Sequence, residues 1–448
     1  MTVEKIAVVI LAAGQGTRMK SARPKVMHPL AGRPMIRHLL DAVAALSPEK
    51  VAVVVGPGMD DVRDAVAPYP AVVQQDRLGT GHAVRQAMPL IDAFEGTVLV
   101  LFGDTPLITQ QTLKAMVEHR VRAPESAVTV LGFEPRDGGE YGRLAMGPDG
   151  LEAIVEHRDA TDEQRGLRLC NSGAMAISGR HLPALLDTLD CDNAKGEYYL
   201  TGIVASARAM GLRCGVVEGW ADELLGINSR AELAAAESVV QAGLRARALE
   251  NGATLIDPGS VYFCWDTRLG RDVTVAPHVV FGPGAVIGDG VDIRSFCHIE
   301  GAVVAEGAVI GPFARLRPGA DIGEDAHVGN FVEIKQATVE TGAKVNHLTY
   351  IGDARIGAKA NIGAGTITCN YDGFRKSFTD IGAGAFIGSN TALVAPVTIG
   401  AGAIVGAGSV ITANVEANAL AVARSEQKQH AGMAERFRAF LRRGGNQA

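Results

Sequence analysis

Along the first half of the chain, short apolar runs alternate with segments whose apolar residues recur three and four positions apart. The runs "KIAVVILAA" at 5–13, "KVAVVVG" at 50–56 and "TVLVLFGD" at 97–104 read as strands buried on both faces. "RPMIRHLLDAVAAL" at 33–46 reads as a helix with one apolar stripe. From residue 1 to 228 this alternation predicts an α/β domain, a mostly parallel sheet covered by helices. Ligands of such sheets collect at the carboxyl ends of strands, where Gly14 and Asp104 fall.

From about Ala253 the period changes to six. Apolar residues recur at Val275, Phe281, Ile287, Ile293 and Ile299, and after a one-residue slip at Val304, Ile310, Leu316, Ile322, Val328 and Ile334. Five-residue steps at Val339 and Ile356 interrupt the series, which resumes from Ile381 to Ile411. A hexad is too short for a helix pair and too regular for ordinary hairpins, which need irregular turn signals. It predicts a β-helix in which each hexad is one wall, three make a coil, and the aliphatic residue points inward. Residues 229–251 read as one linker helix, with capping-box spacing between Ser229 and Glu232 and a stop at Asn251–Gly252. At 1.5 Å per residue, about 20 residues would span roughly 30 Å and hold two domains apart. The domains expected are therefore 1–228, the linker 229–251, and 252–448. Between Ile362 and Ile381 the hexad fails and "TITCNYDGFRKSFTD" intrudes, a loop of the kind that carries function on a solenoid.

Composition narrows the function. The chain has 448 residues, 47% hydrophobic and 21% charged, with a net charge of −6, so no basic field is available for a nucleic-acid backbone. The cationic end "RFRAFLRR" is the local exception. No segment approaches the ~18 apolar residues of a membrane span, and no signal sequence is read at the start. Six scattered cysteines without CxxC spacing suit a reducing cytosol, so a cytoplasmic enzyme without nucleic-acid or membrane partners is expected.

The turn after the first strand, "AAGQGTRM", matches neither a Walker A loop nor a complete dinucleotide fingerprint, since Met19 stands where the third glycine would be. Arg18 and Lys25 supply the cations a triphosphate needs. Taken alone, Asp104 could cap the following helix.

With "PKVMHPLAGRPM", "LGTGHA", "FGDTPL", "YGRL", "IVEHRDA", "CNSGAM" and "GINSR", this opening resembles the sugar-1-phosphate nucleotidyltransferases. Together with "RLRPGADIG", "HVGNFVEIK", "NHLTYIGDA", "NIGAGTITCNYDG" and "LVAPVTIG", the chain resembles, over nearly its whole length, the bacterial bifunctional UDP-N-acetylglucosamine pyrophosphorylases and glucosamine-1-phosphate N-acetyltransferases. The resemblance implies a Rossmann-like nucleotidyltransferase domain, the linker helix, and a left-handed parallel β-helix of hexapeptide repeats. It implies acetylation of glucosamine-1-phosphate by acetyl-coenzyme A, then uridylyl transfer from UTP, supplying peptidoglycan and lipopolysaccharide synthesis, with Mg²⁺ as cofactor and a homotrimer as assembly.

By the same resemblance, Leu11, Ala12, Ala13 and Gly14 approach the nucleotide, Arg18 and Lys25 act on its phosphates, and Gln74, Gly79 and Thr80 read uracil. Phe102, Gly103 and Asp104 follow the third strand, and Asp104 with Asn228 holds the metal. Gly142, Glu156 and Asn171 meet the sugar, with Tyr199 and Thr201 in the same pocket. In the second domain the resemblance supports His347 as general base, Arg317, Lys335, Tyr350 and Asn361 for glucosamine-1-phosphate, and Ala364, Asn370, Tyr371, Ser389, Ala407 and Arg424 for acetyl-coenzyme A. Gln15, Phe102 and Gly202 depart from the family pattern, where lysine, tyrosine and aspartate are common. Two rival readings are a single-activity nucleotidyltransferase with a regulatory or assembly β-helix, and a translation-factor-like subunit without catalysis. Arg18, Lys25 and Asp104 argue against the second, and His347 with its neighbours against the first.

Overall fold

A computed structural model describes residues 4–135, 139–193 and 195–444; the extreme start and the last four residues of the tail lie outside it. The chain divides into two compact units, Met1–Leu244 and Arg245–Ala448.

In the first unit, seven strands run in the order Arg213–Glu218, Ser126–Phe133, Cys170–Ser178, Thr97–Phe102, Ile6–Ala12, Lys50–Val55, Ala71–Val73. Only Cys170–Ser178 is antiparallel to its neighbours in this row; a hairpin of Arg143–Gly147 and Gly150–Val155 adds to it. The first apolar run is buried on both faces, as expected of a central strand. Ala7, Val9 and Ala13 join one core, while Val8, Ile10 and Ala12 join the other. The helix expected at 33–46 is Met35–Ala44, because Arg33–Pro34 instead pairs with Pro29–Leu30. Thr109, not Asp104, caps the helix Gln110–Arg122, its side chain accepting from Thr112 N at 3.2 Å. The carboxylate of Asp104 is thereby left for other work.

The helix Arg230–Glu250 crosses the boundary between the units. Ser229 Oγ accepts from Glu232 N at 3.2 Å, but the Glu232 carboxylate takes the Asn228 amide at 2.7 Å instead of closing the box on Ser229. Its first half packs Leu233 and Ala236 against Leu30, Met35 and Ile227. Further along, Arg245 donates to the carbonyls of Pro258, Gly259 and Val261. Gly252, at φ +95°, ends it as expected.

The second unit is a left-handed parallel β-helix. Its short strands stack in register coil upon coil; in one wall Thr254–Leu255, Thr274–Val275, Asp292–Ile293 and Val309–Ile310 lead on to Ile404–Val405 and Leu420–Ala421. The hexad residues Val275, Ile293, Ile310, Val328, Val345 and Ile387 are all fully buried, each contributing roughly 1.5–3 kcal/mol by leaving water. The five-residue steps are shortened corners. There Glu333–Val339 and Tyr350–Ile356 run continuously from one wall to the next, with Gln336 and Asp353 at positive φ. The interruption after Ile362 is an excursion between Ile367–Cys369 and Thr379–Ile381. Asp372 Oδ1 accepts from the amides of Phe374 and Arg375, and Phe374 at the tip is 93% exposed.

Candidate functional sites

Two adjoining clefts open at the carboxyl ends of the head's strands. The smaller, about 320 Å³, is lined by Leu11, Ala12, Ala13, Gly14, Lys25, Gln74, Gly79, Thr80, Phe102 and Asp104. The larger, about 660 Å³, takes in Arg18, Glu156, Asn171, Tyr199 and Thr201 and shares Thr80 and Phe102 with the first. Gly103 and Gly142 act through their backbones: Gly103 N donates to Leu11 O, and Asn171 N donates to Gly142 O at 2.8 Å.

Local chemistry explains how distant residues arrive. Gly16 adopts φ +62°, and a Cβ there would fall 2.6 Å from the Lys25 Cβ; the glycine lets the turn fold back against the segment carrying that lysine. Ile227 N donates to Asp104 O at 2.9 Å, which sets Asn228 beside Asp104 although they are far apart in sequence. The Lys25 ammonium donates to the Asp104 carboxylate and, at 2.9 Å, to Asn228 Oδ1, so two oxygens converge on one cation. Gln74 is buried, its amide nitrogen donating to Gly79 O at 3.0 Å and bonded to His82 Nδ1 at 3.1 Å. The Leu78–Gly81 turn is strapped to "EYYLT", because Tyr198 N donates to Leu78 O and Leu200 N to the Thr80 hydroxyl.

Carboxylates and cations both line the larger cleft, Glu156, Asp159 and Glu197 beside Arg18, Arg158 and Lys195. Glu156 accepts from the Thr201 hydroxyl at 3.2 Å, and burial, then the Glu197 and Glu156 carboxylates, push the Tyr199 phenol above its ordinary pKa. Phe102 lies against Gly173, where a Cβ would meet its ring at 2.8 Å. Sequence reasoning missed Arg77, which lines the smaller cleft and donates to Ala13 O at 2.9 Å; the cation next to "LGTGHA" was its only signal. It also missed Glu197, which lines both clefts at the head of "EYYLT".

On the prism, His347 ends the strand Lys344–His347, in register with Asn330 one coil earlier. Their side chains meet, His347 Nδ1 to Asn330 Oδ1 at 2.7 Å. A carboxamide oxygen only accepts, so Nδ1 is the donor in this contact, and in the neutral ring the lone pair then falls on Nε2. Successive coils continue the column. Gly365 N donates to His347 O, Asn390 N to Ala364 O, and Gly408 N to Ser389 O; Arg424 donates to Ala407 O. Asn361 pairs with Lys344 on the same wall. The structure thus assembles His347, Ala364, Ser389, Ala407 and Arg424 along one edge, with Asn361 on the wall that leads to it.

Arg317, Lys335 and Tyr350 form a second group, on the wall past the corner of Phe331 and Leu348. Arg317 donates to Glu333 Oε1 at 2.7 Å, and Glu333 stands opposite Tyr350 in register. The Lys376 ammonium, then Arg317, hold the Lys335 amine below its ordinary pKa, so three cations stand close together here. Asn370 is buried and donates to Asp353, whereas Tyr371 is exposed and turns its hydroxyl to Gly373 O at 2.6 Å. Asn330 and Glu333, both missed from the sequence, become legible once the coil repeat is known.

The fold and these sites define a class of two-part transferases, a nucleotidyltransferase head followed by a hexapeptide-repeat prism. Residues 8–208 match the MobA-like NTP transferase domain, and 266–301, 301–336 and 378–413 match the bacterial transferase hexapeptide of six repeats. A bifunctional protein GlmU of Rhodospirillum rubrum is 66% identical over 439 residues, covering 98% of both chains. One from Paramagnetospirillum magneticum is 65% identical, again over 98% of both, and one from Xanthobacter autotrophicus 53%, over 98% of both. The chain belongs to the family of bifunctional GlmU proteins.

Proposed function

We propose that the prism acetylates the amine of glucosamine-1-phosphate with acetyl-coenzyme A, and that the head transfers a uridylyl group from UTP to the resulting N-acetylglucosamine-1-phosphate. The products are UDP-N-acetylglucosamine, a precursor for cell-wall and lipopolysaccharide synthesis, and pyrophosphate. The observation that carries this reading is that one chain has both an oxygen pair gathered on a cation at the carboxyl ends of the head's strands and an exposed imidazole held through Nδ1 by Asn330 Oδ1.

In the head, an anionic sugar phosphate must attack an anionic α-phosphate, so the protein's work is alignment and charge neutralisation. Leu11 to Gly14 bring backbone close to the nucleotide, Arg18 and Lys25 offset phosphate charge, and Gln74, with Gly79 and Thr80, meets the uracil edge. Glu156, Asn171 and Gly142 receive the sugar. The donor set suits Mg²⁺, which takes one or two protein oxygens and completes its shell with water and phosphate. Asp104 and Asn228 already converge on an ammonium, a stand-in for such a cation. Bound between them, the ion would polarise the phosphoryl oxygens.

In the prism, Arg317 and Lys335 hold the sugar phosphate, with Tyr350 and Asn361 on the sugar. His347 Nε2 takes a proton from the amine as it attacks the thioester carbonyl, Asn330 keeping the ring oriented; the C–S bond then breaks and coenzyme A leaves as the thiol, its sulfur taking up the proton. The column from Ala364 through Ser389 and Ala407 to Arg424, with Asn370 and Tyr371 on the excursion, receives the coenzyme. Incubating the chain with UTP and N-acetylglucosamine-1-phosphate should release pyrophosphate, and with acetyl-coenzyme A and glucosamine-1-phosphate it should release thiol. Absence of either product in its own assay would overturn that half of the proposal.

A homotrimer fits an exposed ladder along one corner, where His278, Phe296, Phe313 and Phe331 stack at 4.8–5.1 Å and Leu348 extends the row. The three phenylalanines are 45–55% exposed, and all five residues sit at positive φ, a conformation that costs bulky residues roughly 1–2 kcal/mol each. Such side chains at strained corners make sense as a contact surface. Light scattering should return three times 46.8 kDa, and Phe313→Ser with Phe331→Ser should lower that mass. A wild-type mass of one chain would remove the trimer. A cytoplasmic location fits the six cysteines, none of which forms a disulfide; burial pushes the Cys214, Cys264 and Cys297 thiols up to about 11.

A further inference from the structure

The cationic end of the sequence forms a helix, Met433–Gly444, that neither proposed reaction employs. From Met433 to Arg443 every residue is exposed. At about 100° per residue, Met433, Phe437, Phe440 and Leu441 fall within an arc of about 100°, with exposures of 50%, 61%, 71% and 54%. Arg438 borders this arc on one side, Arg436 and Arg443 on the other, and Arg442 faces away; Glu435 is the helix's only acid. A helix of twelve residues is marginal in water by itself, so this one gains its stability where its apolar face is covered.

We infer that this helix docks in the headgroup layer of an anionic lipid bilayer. An apolar arc bordered by arginines on both sides matches a planar interface, in which the phenylalanines enter the acyl boundary while the guanidiniums stay level with lipid phosphates. Charge favours that occupant. Over 425–444, five cations (Lys428, Arg436, Arg438, Arg442, Arg443) oppose two acids (Glu426, Glu435), in a chain whose net charge is −6. The apolar groove beside Phe313 and Phe331 is a weaker match, because its Arg315 and Glu333 already pair at 3.8 Å and offer the arginines no net negative charge. Among the described residues no helix is long and apolar enough to cross a membrane, so the contact is a surface one. It revises the sequence-based expectation of no membrane partner, which considered spanning segments only.

The test is co-sedimentation of the full chain with vesicles of phosphatidylcholine mixed with phosphatidylglycerol, against vesicles of phosphatidylcholine alone. The expected result is binding to the mixed vesicles only, weakened by salt, with a loss of roughly fivefold for each arginine replaced by glutamine. A Phe437→Ser, Phe440→Ser double variant should lose at least about tenfold in partition while keeping both transferase activities, which also report that it is folded. Equal binding to both vesicle types, no binding to either, or unchanged binding by the double variant would overturn the inference. So would a drop in oligomeric mass caused by the double variant without a change in vesicle binding, which would give the helix to a second copy of the chain.

Discussion

Replacing His347 with alanine is expected to lower the turnover of thiol release by about 10²- to 10⁴-fold, the range over which a positioned base accelerates proton transfer. Pyrophosphate release should stay within about twofold of wild type, since His347 lies in a unit separate from the head clefts. The substitution is structurally mild. The imidazole is exposed, and the contacts that hold this corner, Gly365 N and the Thr349 hydroxyl donating to His347 O, are made by its backbone. Lost activity would therefore report chemistry, not unfolding. Asn330→Ala sharpens the test. It leaves the base in place but removes the acceptor that fixes the proton on Nδ1, so the ring can rotate or present its N–H to the amine. An intermediate loss, about tenfold, with KM for glucosamine-1-phosphate little changed, would mark Asn330 as a positioning residue. Unchanged turnover in His347→Ala would remove the histidine from the reaction.

The prism was far more legible than its site. Six-residue spacing of aliphatic residues is set by wall length, so the inward positions could be named before any coordinates, and all of those named above are buried. What the period conceals is which residues meet across coils. Asn330 reaches His347, and Glu333 reaches Tyr350, because shortened corners make these coils 17 residues long and not 18. At the excursion the same register jumps from Asn361 to Phe386, so Ala364 and Ser389 become neighbours despite the longer separation. In the head, the glycine turn and Asp104 could be found because strand ends collect ligands. Neither the Lys25 contact with Asp104 and Asn228 nor the reach of Arg77 to Ala13 O could be, since those are tertiary meetings of segments with no shared pattern. The partial capping box has a similar cause: Glu232 can hold either Ser229 N or Asn228 N, and only the fold decides.

Asp104→Ala should reduce pyrophosphate release by on the order of 10³-fold or more, because it removes the one formal negative charge from the oxygen pair that would hold the metal ion. Thiol release should be unaffected. Ile227 N donates to the main-chain oxygen of residue 104, so the turn that carries Asn228 keeps its anchor when the side chain is cut back. Asp104→Asn is the graded control, retaining an oxygen of similar position while losing the charge. It should fall between wild type and alanine, with activity partly restored by raising Mg²⁺ if affinity for the ion is what was lost. Lys25→Ala probes the other side of the contact. Without the ammonium, the two oxygens lose their internal cation, so Mg²⁺ titrated calorimetrically without nucleotide should bind more tightly, while KM for UTP rises from the missing phosphate contact. If Lys25→Ala left both quantities unchanged, the ammonium would be neither a competitor for the metal position nor a partner of the triphosphate. Full pyrophosphate release by Asp104→Ala would withdraw the metal assignment from this pair.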